Sequence, residues 1–271
     1  MAVVTMSSEI GSGASEIGAA LAQRMTYRFV DREVISEAAR RYGLVEAKLA
    51  GLDERKPSLF QRFDTETRRY IVGTQAALCA YALEDDVVLM GRGGQWLLRG
   101  IPHVLRVRVT APLEVRVQRL AEQGGGRQSL RRLLELARQD DAGRAGRTRY
   151  LYGIEIDDAS LYDVIINTAT LTVGTAVDML AKALGQPELT TTDVGRALMQ
   201  DRMLATRIDV ELATNPKTRK LTVKVEAQDG VVTLEGTGDL SHGERVARTI
   251  VGVKQVRLRA PEKTPASPPA Q

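Results

Sequence analysis

The strongest constraint on the fold lies in the first 25 residues. A short apolar run at residues 2–6 is followed by a glycine- and serine-rich stretch at 7–15, and then by Ile17, Ala20, Leu21 and Met25 at helical spacing. An apolar run of strand length that passes through a glycine turn into an amphipathic helix is the opening of a βαβ unit. The pattern then recurs. Further strands are expected at residues 27–30, 86–90, 104–110 and 162–167, and helical periodicity at 33–42, 58–83, 113–122, 130–149 and 173–184. Strands alternating with helices predict an α/β fold, a parallel sheet covered by helices on both faces. This first domain is placed at residues 1–185.

Beyond it the pattern changes. Residues 186–192, with Pro187 and three threonines, read as a linker. A helix is expected over 194–213, stopped by Asn215-Pro216, and then alternating residues over 221–227 give the period of a half-exposed strand. Asp229-Gly230 signals a hairpin, with the partner strand at 231–236, a short helix near 243–250 and a last strand at 253–258. Residues 193–259 are therefore expected to form a small α+β domain of order αββαβ. The tail at 260–271 carries four prolines and is expected to be disordered.

Composition narrows the chemistry. One cysteine, Cys79, cannot form an internal disulfide and fits a reducing compartment. With it, His103 and His242 do not furnish the ligands of a zinc site. No stretch has signal-peptide character or approaches the ~18 apolar residues of a membrane helix, so a cytoplasmic location without integral membrane contact is expected. The net charge of +4 over 271 residues is too small to argue for a nucleic-acid partner. The cations themselves are uneven: of 38 Lys plus Arg only eight are Lys, and none of these lies between Lys56 and Lys182.

Three clusters carry chemistry. The first is the loop Ser8-Glu9-Ile10-Gly11-Ser12-Gly13-Ala14-Ser15, between a strand and a helix. Glycines there let several backbone N–H groups face one anion at a helix N-terminus. Laid on G-x-x-x-x-G-K-[ST], the second glycine is Gly13 and the hydroxyl position Ser15, while Ser8 replaces the first glycine and Ala14 the lysine. A plain strand-to-helix turn is the alternative. A dinucleotide site would use Asp31 as its ribose-binding acid, but Gly18 comes too late for G-x-G-x-x-G. The second cluster, Gly91-Arg92-Gly93-Gly94, follows the third strand, where an arginine between glycines can meet a phosphate with its two-pronged guanidinium. The third spans residues 127–149, with Arg127, Arg131, Arg132, Arg138, Arg144, Arg147 and Arg149 against Glu135, Asp140 and Asp141. It reads either as a solvated helix face or as a lid whose arginines close on a transferring phosphoryl group.

Taken in order, these pieces resemble the cytidylate kinase-like family of P-loop nucleoside monophosphate kinase folds. The likeness extends through Tyr27-x-x-Val30-Asp31-Arg32-Glu33-x-Ile35, Asp141-x-x-Arg144 and Tyr162-Asp163-x-x-Ile166-Asn167-Thr168. It implies a P-loop kinase-like sheet, ATP with Mg²⁺ as phosphoryl donor and a nucleoside monophosphate, CMP by analogy, as acceptor. It also implies that Gly11, Ser12, Gly13, Ala14 and Ser15 cradle the donor phosphates, with Ser15 near Mg²⁺. Asp31, Arg32 and Arg92 would bind the acceptor, and Arg138, Asp141 and Arg144 would act from the lid. Two departures stand out: Ala14 in place of the P-loop lysine, and Gly93 where cytidylate kinases carry an aspartate after the arginine. A catalytically degenerate nucleotide-binding regulator is therefore the other reading.

The C-terminal part resembles a BON domain, on Leu221-x-Val223-x-Val225, Asp229-Gly230-Val231-Val232-x-Leu234-x-Gly236 and Val251-Gly252-Val253-x-x-Val256. That resemblance implies a sensing or scaffolding role toward a ligand or protein partner.

Overall fold

The computed structural model describes residues 1–40, 65–125 and 128–260. The expectations for residues 41, 42 and 58–64, for Arg127 and for the 261–271 tail lie outside the described residues. Two compact units emerge, Met1–Met199 and Gln200–Gln271.

The first unit runs β1 (Val3–Ser8), α1 (Ala14–Met25), β2 (Arg28–Val30), α2 (Arg32–Arg40), α3 (Thr65–Leu83), β3 (Val87–Met90), α4 (Gly94–Leu97) and β4 (Val104–Thr110). It continues through α5 (Leu113–Gln123), α6 (Leu130–Tyr152), β5 (Val164–Asn167) and α7 (Val173–Leu184) into the start of α8 (Asp193–Thr214). The strands form one sheet in the order β2-β3-β1-β4-β5, and every neighbouring pair is parallel. This is the α/β sheet that the alternation of periods predicts.

β1 lies at the centre of the sheet and shows why both faces are covered. Its Val4 and Met6 join Ile17 and Leu21 of α1 and Val177 and Leu180 of α7 in one apolar cluster. On the opposite face Thr5 lies against Gly94 of α4, whose Cβ position is 3.0 Å from Thr5 Cγ2. A strand buried on two sides reads as an unbroken apolar run rather than an alternating one. The chain passes from β1 to β2 and β3 on one side and then crosses to β4 on the other. That reversal opens a crevice at the carboxyl ends of β1, β3 and β4.

Some boundaries differ from the sequence pattern for local reasons. The turn after β3 runs directly into the short α4, and the arginine-rich helix continues to Tyr152, where Gly153 at φ 69° closes it. After α7 a 3₁₀ turn at Pro187–Leu189 leads to Thr191, which donates from its N–H (2.9 Å) and Oγ1 (2.8 Å) to the Met1 carbonyl. Thr191 Oγ1 also bonds to Asp85 at 2.8 Å, so the polar stretch expected as a linker is held to the first unit.

The second unit takes the rest of α8, β6 (Val223–Gln228), β7 (Val231–Gly236), α9 (Ser241–Arg248) and β8 (Gln255–Arg259). β6 and β7 pair antiparallel, and β7 and β8 pair parallel. Asp229 and Gly230 have φ of 50° and 80°, the two-residue hairpin geometry that matches strand twist. Its core joins Leu204, Ile208 and Leu212 of α8 to Val232, Leu234, Ala247 and Val256.

Candidate active site

The glycine loop has a geometry that an anion could occupy. Gly11 has φ 75°, and a Cβ there would lie 2.8 Å from the Arg116 carbonyl, so only glycine fits the approach of α5. Gly13, at φ 80°, is the N-cap of α1 and contributes no side-chain cap to the first turn. Ser12 is buried, and its Oγ has no hydrogen-bond partner. A buried polar atom without a partner, beside a helix start with no side-chain cap, suits an anionic ligand. Ala14 is buried as the first residue of α1, whereas Ser15 is exposed. No group of three metal-binding His, Cys, Asp or Glu side chains occurs among the described residues.

Where a lysine is missing, arginines gather. Three guanidinium groups each donate to alternate carbonyls of the loop: Arg144 to Ser8 (2.7 Å), Arg116 to Ile10 (3.3 Å) and Arg119 to Ser12 (3.4 Å). Arg116 and Arg108 are almost fully buried, and Glu9 stands between them at 3.5 and 3.6 Å. Arg116 also pairs with Asp141 and Arg144 with Asp140. Arg119 instead donates to Oγ1 (2.9 Å) and the carbonyl (2.7 Å) of Thr168, which closes β5 onto the loop. Arg108, Arg116, Arg119 and Glu9 brace the loop, a role that the motif reading did not assign to them. The available signal was an arginine in β4 flanked by fully buried Val107 and Val109.

The turn after β3 is unusual. Gly91, Arg92 and Gly93 have φ of 73°, 57° and 76°, three consecutive left-handed residues. Arg92 Nη1 donates to the Tyr70 hydroxyl at 3.0 Å, Nη2 to Ser36 Oγ, and Nε to the Arg32 carbonyl at 3.5 Å. Residues of α2 and α3 thereby aim this guanidinium. A cavity of about 620 Å³ opens beside it, lined by Ser8, Arg32, Tyr70, Arg92, Asp140, Arg144, Arg147 and Tyr152, among others. It therefore lies at the carboxyl ends of β1 and β3, with four arginines facing one carboxylate.

The residues singled out by the sequence divide into groups. Arg32, Arg92 and Arg144 come together at the cavity. Gly11 to Ser15 form the adjacent loop and do not line it. Asp31 caps α2, its carboxylate accepting from the Val34 N–H at 2.9 Å, and lies outside the cavity. Asp141 is engaged with Arg116 behind the wall, and Arg138 is exposed on another face of α6.

The first unit is similar to known proteins. The chain is 27% identical to a cytidylate kinase of Methanosarcina acetivorans over 184 residues, 67% of this chain and 95% of that protein. It is 29% identical to a cytidylate kinase of Staphylothermus marinus over 174 residues, 64% of this chain and 90% of that protein. The crystal structure of an uncharacterized protein from Eubacterium ventriosum superposes with a TM-score of 0.53 at 17% identity, over 68% of this chain and 97% of that one. The model of the cytidylate kinase-like family matches residues 3–170, which hold the glycine loop, the Arg92 turn and the arginines of α5 and α6. With that span covering more than half of its length, the chain belongs to the cytidylate kinase-like family.

Proposed function

We propose that the first unit transfers a phosphoryl group from ATP to a nucleoside monophosphate, with CMP the leading acceptor. The observation that carries this reading is the four-arginine cavity at the carboxyl ends of β1 and β3, next to a glycine loop with a buried unpartnered hydroxyl. Bound as its Mg²⁺ complex, ATP supplies the phosphoryl group. Gly11 to Ser15 would hold the donor phosphates through backbone N–H groups, and Ser15 would offer the hydroxyl for Mg²⁺. Arg92 and Arg32 hold the acceptor phosphate. Arg144, already bonded to the loop at Ser8 and facing the cavity, neutralises charge between the two.

Guanidinium groups do the work that a lysine at position 14 would do. What supports this is that Arg144 reaches the loop at the Ser8 carbonyl and lines the cavity together with Arg32, Arg92 and Arg147. Steady-state assays of the full chain with ATP, Mg²⁺ and CMP, dCMP or UMP test the reading. Turnover on at least one acceptor is expected. ATP binding with no turnover on any would favour the degenerate regulator, and a large gain of activity in Ala14→Lys without a change in ATP affinity would point the same way.

For residues 193–259 we propose a BON-like sensing or scaffolding domain. The αββαβ order and the Asp229-Gly230 hairpin support it.

A further inference from the structure

We propose that Tyr152, the last residue of α6, is a positioning residue that locks Arg92 into its left-handed turn and so sets the acceptor end of the cavity. The inference rests on the reading of Arg92 as the acceptor-phosphate residue.

A non-glycine residue in the left-handed region is strained, and it persists only where its surroundings hold it there. Arg92 is such a residue, at φ 57°. Its neighbours Gly91 and Gly93 give the turn no side-chain grip, so the restraint comes from elsewhere. Tyr152 supplies it twice. Its ring occupies the space a side chain at position 93 would need: the Cβ position of Gly93 is 2.6 Å from Tyr152 Cε2 and 2.9 Å from Cζ. Its hydroxyl donates to the Arg92 carbonyl at 3.3 Å. Burial pushes the phenol pKa well up, so the hydroxyl keeps its proton throughout the working pH range and remains a donor.

The arrangement also accounts for one of the departures from the cytidylate kinase pattern. An aspartate at position 93 would have to share its place with the Tyr152 ring; glycine there and tyrosine at 152 are two halves of one packing solution. Arg92 is then fixed from two directions. α2 and α3 orient its guanidinium through Ser36 and Tyr70, and α6 holds its backbone through Tyr152.

The test uses the full chain as Y152F, Y152L, R92M and the double variant Y152F/R92M, with CMP as the acceptor probe. Hydrogen exchange of the unliganded protein is read at residues 91–97, where the amides of Gly91, Gly94, Trp96 and Leu97 bond to the Met6, Gly91 and Gly93 carbonyls. Y152F is expected to speed that exchange and Y152L to speed it further, with β4 unaffected. In steady state Y152F should raise KM for CMP about tenfold, the loss of one hydrogen bond's worth of binding, with kcat within threefold and KM for ATP unchanged. The double variant should be no worse than R92M. Unchanged exchange at 91–97 in both tyrosine variants, or effects of Y152F and R92M that multiply, would overturn the proposal. If the wild type neither binds nor phosphorylates CMP, the acceptor reading fails, and the exchange data still decide whether Tyr152 locks the turn.

Discussion

Arg116 and Asp141 form a two-pronged ion pair, Nη1 to Oδ1 at 3.1 Å and Nη2 to Oδ2 at 2.7 Å, that fastens α5 to α6 beneath the glycine loop. Arg116 is nearly inaccessible, with 5% of its side chain exposed, while Asp141 is about one-third open. Removing the carboxylate strands a buried cation, though Glu9 at 3.5 Å compensates in part. Asp141→Ala is expected to cost about 2 kcal/mol and to lower the melting temperature by several degrees. An unchanged melting curve would mean that Glu9 and the Ile10 and Ala111 carbonyls satisfy Arg116 without Asp141.

Gly11 is constrained by φ 75° and by the Arg116 carbonyl 2.8 Å from its Cβ position. Gly11→Ala should therefore distort the loop rather than merely stiffen it, at about 1–2 kcal/mol for the left-handed backbone alone. On the phosphoryl-transfer reading, calorimetric titration with ATP should show weakened binding, while binding of CMP stays near the wild-type value. Equal loss of both ligands would point to general unfolding instead.

Arg144 donates to Asp140 at 2.6 Å and to Ser8 at 2.7 Å while lining the cavity. On the phosphoryl-transfer reading, Arg144→Met should reduce kcat by about 10²–10³-fold, the usual cost of one transition-state donor. Arg138→Met, on an exposed face, should leave kcat close to wild type. Reversal of that order, measured in the same coupled assay, would place the working lid arginine at 138.

His103 carries a stability prediction. It is buried, its Nδ1 has no hydrogen-bond partner, and desolvation holds its pKa below the ordinary value of 6.5. The unfolded chain then binds a proton at this site more readily than the folded one. Stability from this group is complete above pH 6.5, falls as the pH drops through and below that value, and levels off once the folded-state pKa is passed. Melting temperatures of wild type and His103→Gln between pH 7.5 and about 5 should converge on acidification. Parallel curves would mean that the imidazole does not titrate differently on folding.

Much of this molecule is legible from period and turn chemistry alone. The strand at 104–110, the helix at 173–184 and the strand at 231–236 stand where their periodicity places them, because each is bounded by turn or capping residues. The arginine partners are not legible in that way. Arg116 finds Ile10 only because β4 pairs with β1, a contact spanning about a hundred positions that no local pattern encodes. Helical geometry could have separated the lid arginines. Arg138 and Arg144 are six residues apart, about 240° around a helix, whereas Asp140, Arg144, Arg147 and Leu151 share one face. Asp31 is legible only in part: its position after a strand suggests a ligand role, and the structure adds that its carboxylate caps α2.

One helix touches both ends of the site: α6 reaches the glycine loop through Arg144 and the Arg92 turn through Tyr152. Both contacts belong to one continuous helix, only eight residues apart along it. Linkage then requires symmetry: whatever factor by which a bound donor changes acceptor affinity, a bound acceptor must change donor affinity by the same factor. On the phosphoryl-transfer reading, donor and acceptor would contact one shared element, and any coupling between them would be measurable as one constant from either side.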